Sequence, residues 1–337
     1  PTTRNSLNRT IMKKDDAWEV FKDNPWESIS KNTYPSGRLL YQRDDRYWVS
    51  VNKLGQWVFY IHTKCMEDFD ININVPSINL ELEDYKHGEK RLVCTLLDLS
   101  KDLTSKFVVV AKYIAVETEK YHGIELFSNV LKTILGWSDF LRPKGGILTR
   151  AELIGFWGEC YVVSQMMPTH TIENIMRFWV GPEGAKKDIT FNSMALEIKT
   201  TATSGAREIS ISSLDQLDQT TNRLYMLHLQ LTPSQENVGC TLQELCNDLR
   251  RKSSVNFSTL ALFMRKTSEM IDRASSEQLS EPFLLADCSL YDVCEGFPKI
   301  TRESVHEGVI DARYRISISC IQPFDVTNKL KGIIENG

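Results

Sequence analysis

Asp188 and Glu197 fall opposite one another when the chain is folded back at Asn192-Ser193, and the rest of the sequence is best understood from that constraint. Short apolar runs flank Asn192-Ser193, a pair that tolerates turn conformations, so the stretch from Asp188 to Lys199 reads as a β-hairpin. Folding about the turn pairs Phe191 with Met194, Thr190 with Ala195 and Ile189 with Leu196. Strand side chains alternate faces, so Glu197 and Lys199 point one way and Leu196 and Ile198 the other. Directly opposed strand residues have Cβ atoms roughly 4.5–5.5 Å apart, and two carboxylates so placed repel unless they share a cation. Hard oxygen ligands suit Mg²⁺ or Mn²⁺ rather than zinc. Lys199 brings a point charge to the same patch, able to hold a water or a phosphate oxygen.

Asp188 followed by Glu197-Ile198-Lys199 resembles the catalytic signature of the PD-(D/E)XK nuclease superfamily. Its surroundings, Trp179-Val180-Gly181-Pro182-Glu183-Gly184, Glu197-Ile198-Lys199-Thr200-Thr201 and the segment Ile209–Leu217, look like the bacterial "PD-(D/E)XK motif protein" group of restriction and antiphage gene clusters. Lys187 stands where the motif carries proline, which the superfamily often lacks. The resemblance implies an α/β (α+β) fold with a restriction-endonuclease-like core, a mixed sheet flanked by helices. It implies a Mg²⁺-dependent DNA endonuclease, with Mn²⁺ as a substitute, working in defence beside ATPase, MutL-like or abortive-infection-type proteins. Asp188, Glu197 and the Ile198 carbonyl would hold the metal, and Lys199 would position or activate the attacking water. A helix ahead of the hairpin often supplies another acidic ligand. Glu159, between Gly158 and Cys160, matches that position, with Glu152 as its rival. Gln216 either reaches the scissile phosphate or water, or sits on the surface of a helix started by Ser213 and Asp215.

At 337 residues the chain is long enough for two domains. Its net charge of −4 argues against a sequence-independent DNA-coating protein, so nucleic-acid contact needs local patches or a partner. The eight cysteines are scattered, and Cys240/Cys246 and Cys288/Cys294 lack the usual zinc spacing. They read as reduced core residues of a cytoplasmic protein. No signal peptide or membrane-spanning run is expected. The six histidines (His62, His87, His122, His170, His228 and His306) show no paired ligand spacing.

Three regions are expected: a β-rich N-terminal module over 1–96, a helical connector over 97–145, and a nuclease-like domain over 146–337. The first opens with a helix over 15–22 and continues with strands over 46–51 and 56–61, joined by Asn52–Gly55, and over 71–75, 78–82 and 90–96. Its Trp and Tyr residues, with Arg38, Arg43 and Arg46, form either a base-stacking surface or cross-strand pairs, and pairs are favoured. Helices are expected over 97–119, 124–140 and 149–167, the last started by the capping box Thr149/Glu152, with a hinge at Arg142–Gly146. Gly155 and Gly158 permit close approach to a neighbouring element. Strands follow over 208–212 and 224–231, then a helix over 241–252 ending in the basic run Arg250-Arg251-Lys252, read as complementing the helix terminus rather than binding phosphate. A helix over 257–274 and strands over 283–291 and 312–321 complete the chain. A catalytically silent nucleic-acid-binding or scaffold subunit, or an enzyme acting on RNA or nucleotides, is the alternative function, and a homodimer would supply two active sites.

Overall fold

The computed structural model describes residues 24–41, 44–142, 145–205, 207–218, 221–234 and 238–337. The helix expected over 15–22 and Arg43 lie outside them. The described chain forms two compact units, one made of residues up to Arg142 together with Ser254–Ala261, the other of Gly145–Ser253 and Leu262–Gly337.

The first unit is built on an antiparallel sheet of β1 (Arg38–Tyr41), β2 (Asp44–Val51), β3 (Trp57–Thr63), β4 (Ile78–Asp84) and β5 (Lys90–Leu96), in the order β1-β2-β3-β5-β4. Alternation sends Tyr47, Val49 and Val51 of β2 inward, where the Tyr47 hydroxyl meets Thr118 Oγ1 at 2.9 Å at the end of α1 (Lys101–Thr118). A second helix, α2 (Gly123–Gly136), packs against α1. On the opposite face Trp48 stacks on its cross-strand partner Tyr60, and the Arg91 guanidinium lies over Tyr34, Tyr60 and Tyr85. Arg38 donates to the carbonyls of Pro25 and Glu27, and Arg46 to those of Glu119 and Tyr121. The aromatics pair across strands, and these two arginines bind main chain. The strand expected over 71–75 does not form. The chain turns at Val75–Ile78, where the Ile78 N–H donates to the Val75 carbonyl, and ladder pairing begins only at Ile78. α1 starts at Lys101 rather than 97 because Ser100 caps it, accepting from the Leu103 N–H.

The second unit holds the mixed sheet. Its strands are β6 (Ile189–Thr190), β7 (Met194–Ala202), β9 (Arg223–Pro233), β10 (Cys240–Thr241) and β11 (Pro282–Asp292), ordered β10-β11-β9-β7-β6, with β7 and β9 parallel. One face carries Leu196, Ile198, Leu227 and Leu229 into a core shared with α3 (Arg150–Met166), α4 (Ile172–Phe178) and α5 (Leu242–Ser253). Thr149 and Glu152 close the expected capping box on α3, and Thr241 with Glu244 does the same for α5. A further helix of this layer, α6 (Phe257–Arg273), begins in the first unit. Helices against one face of a mixed sheet make the α+β, restriction-endonuclease-like core.

The other face is apolar at Ala195, Leu224 and Met226, which pack on Ile209, Ile211 and Ile316. There the strand expected over 208–212 does not join the main sheet. β8 (Glu208–Ile211) pairs instead with β12 (Tyr314–Ser317), and this two-stranded ribbon lies over the apolar part of that face. The strand expected over 312–321 ends at Ser317. A helical turn, Ile318–Ile321, follows and buries Ile321 while Cys320 stays exposed, a placement that continued alternation would reverse.

Gly158 sets the approach of α3 to the sheet. A Cβ there would sit 2.1 Å from Thr200 Oγ1, whereas one at Gly155 would meet no atom of the described residues within 4 Å. Gly158→Ala is expected to destabilise the protein by about 1–3 kcal/mol through overpacking, and Gly155→Ala to leave it no less stable, as measured by urea unfolding.

Candidate active site

The hairpin forms in the register read from the sequence: Ile189 pairs with Leu196, Thr190 with Ala195, and the Phe191 N–H donates to the Met194 carbonyl at 2.8 Å. Asp188 lies just ahead of β6 and is held at both ends. Its carbonyl accepts from Val180 N at 2.9 Å and Gly181 N at 3.0 Å, and its Oδ2 accepts from Ile198 N at 2.6 Å. Ile198 therefore orients Asp188 through its amide.

Glu159 reaches the same place from α3. Its Oε2 accepts from the indole Nε1 of the buried Trp179 at 2.8 Å. Trp179 is itself fixed by Lys266 of α6, whose Nζ donates to the Trp179 carbonyl at 2.6 Å and pairs with Glu183 at 3.0 Å. Between the two acids lies Gly181, where a Cβ would fall 2.8 Å from Asp188 Oδ1 and 2.9 Å from Glu159 Oε2. Glycine keeps this space clear. The rival Glu152 is occupied by its cap and by Arg273 at 2.8 Å.

Glu197 and Lys199 share a face of β7, as strand alternation requires. Glu197 is 2% exposed; its Oε1 pairs with Lys199 Nζ at 2.8 Å, and its Oε2 has no hydrogen-bond partner among the described residues. Lys199 Nζ also donates to Gln216 Oε1 at 2.8 Å, and that oxygen accepts a second bond from Ser212 N at 2.8 Å. Gln216 sits in a 3₁₀ turn, Leu214–Gln216, with its side chain on Lys199. Asp188, Glu197, Lys199, Glu159 and Gln216 are thus gathered by the fold into one linked cluster.

Burial disfavours the charged form of all three acids. It pushes Glu197 up to about 8, with repulsion from Asp188 adding and Lys199 and Lys187 opposing. Burial and then Asp188 hold Glu159 well above the usual carboxylate range. Burial also raises Asp188, against the Ile198 N–H, Lys199 and Lys187. Among the described residues no three His, Cys, Asp or Glu side chains already converge as a metal cluster. Each acid leans on a protein donor instead: Ile198 N–H, Trp179 or Lys199. The donor set nonetheless fits a hard divalent cation. It offers carboxylate oxygens alone, one of them buried and unpartnered, with a gap kept open at Gly181.

In the basic run closing α5, Arg251 and Lys252 pair with Asp248. The buried His228 bonds Thr201 Oγ1 at 2.8 Å. Three contributors escaped the sequence reading: Trp179 as a donor, Lys187 as a buried cation, and Lys266. A signal for Lys266 existed, since it follows the buried Phe263 by one helical turn and precedes the buried Thr267.

The sequence matches, over residues 23–319, a protein-family model described as "Putative PD-(D/E)XK family member, (DUF4420)". No curated protein and no solved structure matches the chain.

An acid whose value is higher folded than unfolded takes up a proton on folding, so its stabilising contribution falls as pH rises from the carboxylate range through its folded value. For Glu197 that window runs from the ordinary value to about 8. Without added metal, Glu197→Gln is expected to melt above the unsubstituted protein at about pH 8, the gap narrowing toward about pH 5. Scanning calorimetry across that range measures it, and a gap that widens on acidification refutes the sign.

Proposed function

Because the chain belongs to the PD-(D/E)XK family DUF4420, we propose that it is a divalent-metal-dependent endonuclease that hydrolyses phosphodiester bonds in DNA. One observation carries the reading. Glu197 Oε2 is buried without a partner among the described residues and beside two further acids, a costly arrangement for a resting protein and a useful one for binding a cation.

Asp188, Glu197 and Glu159 would hold Mg²⁺ or Mn²⁺, with Ile198 contributing main chain as the family resemblance implies. A divalent ion there supplies Lewis-acid activation of water and charge neutralisation at the phosphate. The remaining work falls to the chain. Lys199 has three donors, and Glu197 Oε1 and Gln216 Oε1 take two of them. The third is left for an attacking water or a phosphate oxygen. Glu197 can serve both neighbours, keeping Lys199 on Oε1 and offering Oε2 to the cation. Trp179 and the Ile198 N–H hold Glu159 and Asp188 in place, so their orientation precedes ligand binding.

The biological setting, restriction or antiphage defence alongside ATPase or MutL-like proteins, is proposed on the sequence resemblance alone. A homodimer would suit cleavage of both strands.

Purified protein is expected to cut DNA only with Mg²⁺ or Mn²⁺ present. Lys199→Ala should lose at least about 100-fold in single-turnover rate while keeping its calorimetric Mn²⁺ binding. Asp188→Ala should lose both cleavage and binding. Competition by duplex DNA, single strands and RNA ranks the substrates. A Lys199→Ala protein that cuts at the unsubstituted rate would falsify the assignment, and a chain that binds neither Mn²⁺ nor DNA is a silent scaffold subunit instead. Separately, Gly181→Ala is expected to weaken Mn²⁺ affinity by about tenfold, because its methyl group enters the space between Asp188 and Glu159.

A further inference from the structure

Lys187 is 3% exposed, a rare condition for a lysine and one that ordinarily requires a carboxylate partner. Here the ammonium donates instead to two main-chain carbonyls, Asp215 O and Gln216 O, each at 2.6 Å. Those are the last carbonyls of the turn Leu214–Gln216, groups left without a partner by the turn itself and attractive to a cation. The turn is also anchored at its start, where the buried Leu214 donates its N–H to Asp311 Oδ1 at 3.1 Å, and the buried Leu217 follows it; at the Asp215 side chain the ties are surface ion pairs to Lys186 and Arg302, which contribute little.

The same turn supplies Gln216, whose side-chain oxygen receives both Lys199 Nζ and Ser212 N. Two lysines on the two arms of the hairpin therefore end on one residue, Lys187 on its carbonyl and Lys199 on its amide oxygen. Fixing the carbonyl limits where the Gln216 side chain can go. The Ser212 N–H then fixes its far end.

We propose that Lys187 is a positioning residue for Lys199, acting through the Gln216 turn, and that it occupies the motif's proline position for that purpose. The inference rests on the nuclease reading, in which Lys199 is the residue to be aimed. It gives Gln216 a different role from contact with the phosphate: Gln216 is the acceptor that holds the Lys199 ammonium.

The test compares full-length Lys187→Met, Lys187→Arg, Gln216→Ala and the double variant K187M/Q216A, using amide hydrogen exchange over 212–217 and single-turnover DNA cleavage with Mn²⁺. Lys187→Met keeps the side-chain length and removes the donors. It should speed exchange of the Ser212 amide by about tenfold, as Gln216→Ala does by removing the acceptor. Cleavage should fall by about 10- to 100-fold in each single variant, a loss typical of a misplaced group. The double variant should be no slower than the slower single one, since both break the same link. Lys187→Arg, whose guanidinium can span two carbonyls, should recover most of the rate. Should Lys187→Met fail to fold, Lys187→Gln, able to serve one carbonyl, is expected to lie between it and the unsubstituted protein. Unchanged Ser212 exchange in Lys187→Met, or rate losses that multiply in the double variant, overturns the proposal. A protein that cuts no DNA removes the nuclease reading instead, and the exchange measurement still decides whether Lys187 governs the turn.

Discussion

Three carboxylates gathered in a place poor in water repel one another, and much of the second unit is arranged to bear that repulsion. Asp188, Glu197 and Glu159 arrive from the start of β6, from β7 and from α3, and each is met by a donor: the Ile198 N–H, the Lys199 ammonium and the Trp179 indole. Two ammonium groups, Lys199 and Lys187, offset part of the charge. Behind them a further buried lysine, Lys266, fixes Trp179 and with it Glu159. A core of Leu, Ile and Phe alone would be more stable than this. The arrangement makes physical sense as a receptacle for positive charge, in which local stability is given up for function.

Much of this was legible in the sequence. The hairpin register follows from a turn pair with apolar residues on either side, because a period of two leaves no freedom once the turn is fixed. The capping boxes on α3 and α5 were equally plain, and Glu159 lay one residue past a glycine that α3 uses to approach β7. Less legible was everything decided at long range. Ile209 and Ile211 alternate like any strand, yet nothing local says that their partner is the distant Tyr314–Ser317 rather than the neighbouring β7. The helical turn after Ser317 depends on where Ile321 finds a core to enter. Lys187 looked like a departure from a motif, and its importance rests on carbonyls contributed from elsewhere in the chain.

The first unit carries a different lesson about composition. An aromatic-rich sheet with several arginines suggests a binding surface, yet Trp48 stacks on Tyr60, Arg91 covers three tyrosine rings and pairs with Glu83, and Arg46 serves main-chain carbonyls. These side chains stabilise a small sheet by pairing across its strands. What a residue can do for a ligand depends on what it already does for the fold.

The chain does not visit its two units one after the other. It leaves the second at Ser253, lends Ser254–Ala261 to the first, and returns within the same helix, α6, that carries Lys266. No single cut therefore yields a complete first unit, since a fragment ending before Gly145 lacks residues supplied from far downstream. Recombination between relatives meets the same difficulty. An N-terminal region borrowed from another chain must suit the opening residues of α6, in which Lys266 further along holds the Trp179 carbonyl. The two units are thus interleaved along the chain, and neither can be exchanged as one continuous segment.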